Sequence, residues 1–166
     1  MGSPKRLRKK YETPGFMWDA ERLAEEHKLK DDYGLKNLRE LWIAASTLRN
    51  VRRKAREVLS GKEREDVGKA IIAKLSRYGV IKPDATIDDL LVINIEALLE
   101  RRLQSIVFRK GMAKSMKQAR QLIAHGFIAI NGRRITQPSY FVKVNEESAI
   151  SFYKPINIMQ ENAQSA

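Results

Sequence analysis

Ser115-Met116-Lys117-Gln118-Ala119-Arg120-Gln121-Leu122-Ile123-Ala124-His125-Gly126-Phe127-Ile128-Ala129-Ile130-Asn131-Gly132-Arg133 reads as a capped helix, a glycine stop and a tight hairpin. Ser115 opens the helix, because its hydroxyl can take the backbone N–H three residues on while the Gln118 side chain reaches back, the S-x-x-Q form of the capping box. Met116, Ala119, Leu122 and Ile123 make one apolar stripe, and Lys117, Arg120, Gln121 and Ala124 share another face that can approach phosphate. Gly126 closes the helix, with His125 beside it as a C-terminal residue that the helix dipole favours. Phe127 to Ile130 is a short apolar strand, and Asn131-Gly132 is the strongest two-residue hairpin signal, since both positions of that turn need positive φ.

Upstream, Asn94 is a candidate N-cap for a helix carrying Ile95, Leu98, Leu99, Leu103, Ile106 and Val107 until Gly111 stops it. Arg102, Ser105 and Arg109 fall on the opposite face. Downstream, Tyr140 to Val144 and Ala149 to Phe152 alternate weakly and are expected to add strands. Tyr140 can pack in the hairpin core or stack on a base.

The N-terminal half reads as helical. Asp19 to Tyr33 is a charged stretch ending at Gly34, and Leu38 to Leu59 is the longest candidate, with Leu38, Leu41, Trp42, Ala45, Leu48, Ala55, Val58 and Leu59 facing inward. On its other side Arg49, Arg52, Arg53 and Arg56 are spaced i, i+3, i+4, i+7. Four guanidinium groups on two turns repel one another, which is tolerable with phosphates between them; a solvated or membrane-surface face is the alternative. Lys62 to Tyr78 is a further helix, and Thr86 with Asp89 caps another after Pro83. Met1 to Tyr11 holds Lys5, Arg6, Arg8, Lys9 and Lys10 with almost nothing to bury, either an arm ordered by RNA or a solvated tail. Trp18, after Phe16 and Met17, can stack, dock or anchor a small core. The expected class is therefore α+β: a mainly helical N-terminal half plus a small two-helix and β-hairpin/sheet domain. The expected divisions are 1–36 (basic arm and short helix), 37–100 (helical), 101–153 (two helices and hairpin) and 154–166 (tail).

Charge sets the expected ligand. With 32 basic against 20 acidic residues, the net charge of the 166-residue chain is +12, so its surface carries a positive field and nucleic acid is the first expectation. The apolar runs are too short to span a bilayer, and no membrane role, signal peptide or large catalytic domain is expected. Without cysteine, and with only His27 and His125 as histidines, no disulfide, metal site or cofactor is expected. Asp84, Asp88 and Asp89 read as capping and surface charge rather than a metal or acid/base site.

The C-terminal pattern resembles the S-four RNA-binding domain, on Arg101-Arg102-Leu103, Arg109-x-Gly111, Lys114-Ser115, Ala119-Arg120-Gln121-Leu122-Ile123, His125-Gly126, Ile130-Asn131-Gly132-Arg133 and Pro138-Ser139-Tyr140. The N-terminal half resembles the archaeal and eukaryotic branch of the ribosomal family that gives this domain its name. The matching stretches for that branch are Pro4-Lys5-Arg6, Lys9-Lys10-Tyr11-x-Thr13-Pro14, Tyr33-Gly34-Leu35-Lys36-Asn37, Arg39-Glu40-Leu41-Trp42 and Glu100-Arg101-Arg102-Leu103-Gln104. A short C-terminus without the basic extension of eukaryotic members points to the archaeal type. The resemblance implies a cytoplasmic structural constituent of the small ribosomal subunit, not an enzyme. Such a protein binds a junction in the five-prime domain of the small-subunit rRNA, nucleates assembly of the body, neighbours the fifth small-subunit protein near where mRNA enters, and contributes to translational accuracy; mRNA itself is a further candidate contact.

The residues expected at phosphate and sugar are Arg102, Arg109, Lys114, Lys117, Arg120 and Arg133, with Ser115, Gln121, Asn131 and Ser139 as hydrogen-bonding partners. Arg120→Ala is expected to weaken rRNA binding and leave the fold intact. Two rival readings share the domain: a free RNA-binding or ribosome-rescue factor, which does not carry the Arg39-Glu40-Leu41-Trp42 half, and an RNA-modifying enzyme or synthetase. The second needs a catalytic domain, and no Gly-Arg-Leu-Asp motif is present.

Overall fold

The computed structural model describes residues 9–154, and among these the elements run α1 (Ala20–Asp32), α2 (Leu38–Leu59), α3 (Glu65–Arg77), α4 (Asp89–Val92), α5 (Ile95–Glu100), α6 (Leu103–Arg109), α7 (Met116–Ala124), β1 (Ile128–Ile130), β2 (Arg133–Arg134), α8 (Val144–Glu147) and β3 (Ile150–Phe152). The class is α+β, as the sequence reads. Lys5, Arg6 and Arg8, and the tail beyond Lys154, lie outside the described residues.

Asn131 and Gly132 take φ of 50° and 74°, the pair of left-handed residues that a two-residue hairpin demands. That turn sets Ile130 opposite Arg133, and β3 pairs antiparallel on the other side of β1, giving the order β2-β1-β3. The central strand is buried along its whole length. Its Ile128 and Ile130 pack with Leu103, Ile106 and Val107 of α6, Ala119, Leu122 and Ile123 of α7, and Val142 and Ile150. Full burial of such aliphatic side chains contributes roughly 1.5–3 kcal/mol each, so this small sheet stands on its two helices. Tyr140 packs against the same cluster, while its hydroxyl donates to Glu146 at 3.0 Å.

A second core joins α2 through Leu48 and Ala55 to Leu75 of α3, Leu90 of α4 and Leu98 of α5. A third is a seam of Leu35, Leu41, Ala44 and Leu99, where the start of α2 meets α5. The 22 residues of α2 make a rod about 33 Å long, enough to run from that seam to α3.

Tertiary contacts override the local reading in several places. The helix expected from Asn94 to Gly111 is two, α5 and α6, broken at Arg101-Arg102. The N–H groups of Leu103 and Gln104 donate to the carbonyls of Tyr140 and Pro138, and Arg102 bridges Phe141, so a passing loop replaces the helical ladder there. Asn94 has N-cap backbone angles but makes no side-chain capping bond. The strand expected over Tyr140 to Val144 amounts to that single bridge, followed by α8. The helix expected from Lys62 starts at Glu65. Leu59, placed in the inward stripe, is 51% exposed, and Trp18 is 92% exposed rather than a core anchor. Asp89 does turn back onto Thr86, accepting its N–H at 2.7 Å and its hydroxyl at 3.1 Å, but the helix it opens has only four residues.

Candidate nucleic-acid interface

The N-terminus of α7 carries a positive surface. The Ser115 hydroxyl accepts from the Gln118 N–H at 3.2 Å, and Gln118 Oε1 accepts from the Lys114 N–H at 2.6 Å, one residue before the position a capping box would use. This return contact fixes the backbone of Lys114 beside the cap. Lys114, Ser115, Lys117 and Gln121 are exposed, and no acidic residue sits in the first turn. The positive end of the helix dipole therefore adds to two ammonium groups. Across Gly126, whose added Cβ would come within 2.8 Å of Arg134 Cδ, the hairpin presents Asn131, Arg133 and Arg134 to solvent. Lys114, Lys117 and Arg133 form no ion pair among the described residues. They combine exposure, charge and a rigid base.

Arg102 and Arg120 face inward instead. The side chain of Arg102 is 6% exposed and its Nη2 lies 2.5 Å from Glu40 Oε2. Arg120 donates from Nη2 to Glu40 Oε1 at 2.6 Å and from Nη1 to Oε2 at 3.2 Å. One carboxylate of α2 thus holds two guanidinium groups of the hairpin domain. Burial by itself would raise the Glu40 pKa, but the hydrogen bonds and charges of Arg120 and Arg102 outweigh it and hold the carboxyl below its ordinary 4.5. Gln104, 1% exposed, lies beside this cluster; its amide nitrogen stands 3.0 Å from the carbonyls of Tyr33 and Gly34 and 2.9 Å from that of Met116. Ser105 is buried as well, its hydroxyl donating to the Leu99 carbonyl at 2.7 Å.

A second junction lies at Glu100. It accepts from the Tyr33 hydroxyl at 2.8 Å and pairs with Arg109 at 2.5 Å. Burial, and then the neighbouring Glu100 carboxylate, push the Tyr33 phenol far up. Arg109 remains 63% exposed, so it can also face a ligand.

The arginines of α2 are spread over different tasks. Arg49 pairs with Glu12, Arg53 stands 3.9 Å from Glu57, and Arg52 donates from Nη2 to the Ile93 carbonyl at 2.7 Å. Arg56 is exposed, as are Lys9, Lys10 and Ser139. Among the described residues there is no cluster of three His, Cys, Asp or Glu able to hold a metal, and no helix is long and apolar enough to cross a membrane.

Glu40 and Gln104 tie the elements around the site together, and neither was among the residues expected from sequence. Both stand inside motifs that carry the resemblance, Arg39-Glu40-Leu41-Trp42 and Arg101-Arg102-Leu103-Gln104, but neither motif names its partner. No local signal marked Glu40, which stands off the inward stripe of α2 and is half-buried only where Arg102 and Arg120 cover it.

Residues 101–148 match the S4 domain family. Over 99% of its length, and 99% of the relative's, the chain is 49% identical to the small ribosomal subunit protein uS4 of Ignicoccus hospitalis. It is 48% identical to the uS4 of Methanococcus aeolicus over 92% of this chain and 88% of that one, and 49% identical to the uS4 of Saccharolobus solfataricus over 92% and 86%. With an S4 domain in place and full-length relatedness on both sides of it, the chain belongs to the uS4 family of small ribosomal subunit proteins.

Proposed function

We propose that this protein is a structural constituent of the small ribosomal subunit that binds small-subunit rRNA without turnover. The observation that carries the reading is the set of exposed cations, Lys114, Lys117 and Arg133, which have no ion pair among the described residues and stand on the capped helix and Asn-Gly hairpin of an S4 domain. Neutralising phosphates at a folded junction releases counterions, so affinity falls steeply with salt. Ser115, Gln121, Asn131 and Ser139 add hydrogen bonds from exposed positions, and Arg109, Arg56, Lys9 and Lys10 extend the cationic surface. Arg49, Arg52 and Arg53 contribute through whatever charge their present partners leave free. Arg102 and Arg120 act mainly by holding the hairpin domain against α2.

The finer reading places the contact at the five-prime domain junction, with early entry into the assembling body, the fifth small-subunit protein as a neighbour, the incoming mRNA nearby, and the cytoplasm as the compartment. Sucrose-gradient fractionation of tagged cells tests the central claim. A structural constituent co-sediments stoichiometrically with small subunits after a high-salt wash; a free RNA-binding or rescue factor washes off.

A further inference from the structure

A cavity of about 350 Å³ opens at the junction between α2 and the hairpin domain. One wall is a stripe of α2, Glu40, Ile43, Ala44 and Thr47, spaced i, i+3, i+4, i+7; the opposite wall is the segment Pro138, Ser139 and Phe141. Arg102 and Arg120, joined through Glu40, also line it, and Lys10 stands at its edge as an exposed ammonium. Ile43, Ala44, Pro138 and Phe141 make its apolar part, Glu40, Arg102 and Arg120 form one fixed cluster, and Lys10 stands outside that cluster. That combination is the chemistry of a small-ligand pocket, and the volume is at the low end of such sites, roughly 300–1,000 Å³.

The polar groups left for a ligand are few. Arg102 is 5% exposed and its Nη2 is engaged by Glu40, so it holds the cavity's shape rather than facing it. The Glu40 carboxylate keeps 18% of its side chain exposed, and Ser139 presents its hydroxyl from an exposed position.

We propose that this cavity receives a single nucleobase extruded from the bound rRNA. The inference rests on the rRNA-binding reading above and names a subsite within it. A flat base fits a slot walled by Ile43, Pro138 and Phe141, and contact with apolar and aromatic side chains is how unstacked bases are held. A base edge carries donors and acceptors side by side, which suits the accessible part of the Glu40 carboxylate and the Ser139 hydroxyl, both in the lining. The phosphate flanking that nucleotide then lies at the mouth, where Lys10 supplies the positive charge. Folded RNA junctions are the places where bases leave the stack, so the occupant comes from the ligand class the cationic surface already selects.

The test uses the full chain and a transcript of the small-subunit rRNA five-prime domain, with filter binding and nucleotide-resolution probing of the 2′-hydroxyls. Thr47→Trp fills the slot from an exposed position whose own hydroxyl is turned to the Ile43 carbonyl, and Ile43→Trp fills it from one turn earlier. Thermal melting identifies which of the two keeps the fold. The expected result is an affinity at least tenfold lower in the folded variant, with one nucleotide protected by the parent protein becoming reactive again. Unchanged affinity and protection in a folded variant overturn the proposal, and so does weaker binding with no single nucleotide exposed. If the parent protein itself shows no preference for the transcript over an unrelated RNA, the rRNA reading has failed. Selective binding by both parent and variant removes only the subsite.

Discussion

The Glu40 carboxylate of α2 accepts two hydrogen bonds from the Arg120 guanidinium of α7, at 2.6 and 3.2 Å, across 80 residues of sequence. Arg102 closes the same carboxylate from a third direction at 2.5 Å. Two of the residues that family resemblance places at phosphate are therefore the fastening between the helical half and the hairpin domain. Their charge still contributes to the field around the RNA, but Glu40 neutralises much of it at close range.

Glu40→Gln leaves Arg102 and Arg120 facing a neutral amide in a largely desolvated site. Removing one partner of a buried ion pair costs several kcal/mol because the remaining charge stays buried. A loss of about 3 kcal/mol is expected in urea unfolding at neutral pH. A shift no larger than that of an exposed surface substitution contradicts the fastening role.

The same carboxylate makes stability pH-dependent. Its pKa in the folded state lies below the ordinary 4.5, so between the two values the unfolded chain binds more protons. The contribution of Glu40 is fully present above that ordinary value and is lost as pH falls through the folded one. Acid titration of stability is expected to show a steeper slope below pH 4.5 in the parent protein than in Glu40→Gln. Parallel acid limbs count against the assignment.

Arg120→Ala is expected to lower stability as well as any rRNA affinity, because its guanidinium is paired with Glu40; unchanged urea unfolding returns to the reading in which the fold is untouched. Lys117→Ala separates the two effects. Its side chain is exposed and makes no ion pair among the described residues, so unfolding changes by less than about 0.5 kcal/mol. If Lys117 meets a phosphate, the slope of log affinity against log salt falls by about one, and Lys114→Ala and Arg133→Ala behave alike. An unaltered salt slope in all three removes the α7 face from the interface.

Gly34→Ala tests the close approach of α1 to α7. Gly34 has φ of +55°, and an added Cβ would stand 2.9 Å from Met116 Cβ and 3.1 Å from its carbonyl carbon. Left-handed strain and an unyielding backbone neighbour together predict a loss of about 2–4 kcal/mol. Circular-dichroism melting checks it; a melting temperature equal to that of the parent protein refutes the contact.

Local chemistry was enough to read much of this molecule. Asn131-Gly132 admits one class of turn, Ser115 with Gln118 marks one helix start, and the stripe of α7 buries Ala119, Leu122 and Ile123, with Met116 half-buried at its start. Positive charge pointed to nucleic acid before any contact was visible. Each of these signals acts within a few residues, where covalent geometry and the helical repeat decide the outcome.

Only the tertiary structure decided which arginines reach solvent. Arg102 and Lys117 look alike as sequence, both basic, both in motifs of an RNA-binding domain; one lies against Glu40 and the other faces water. The break between α5 and α6 has the same origin, because the carbonyls of Pro138 and Tyr140 arrive from more than thirty residues away to take the N–H groups of Gln104 and Leu103. Helical spacing records a side chain's direction around its own axis, but what waits in that direction is set by long-range packing, and a buried carboxylate captures whichever cations the fold carries to it.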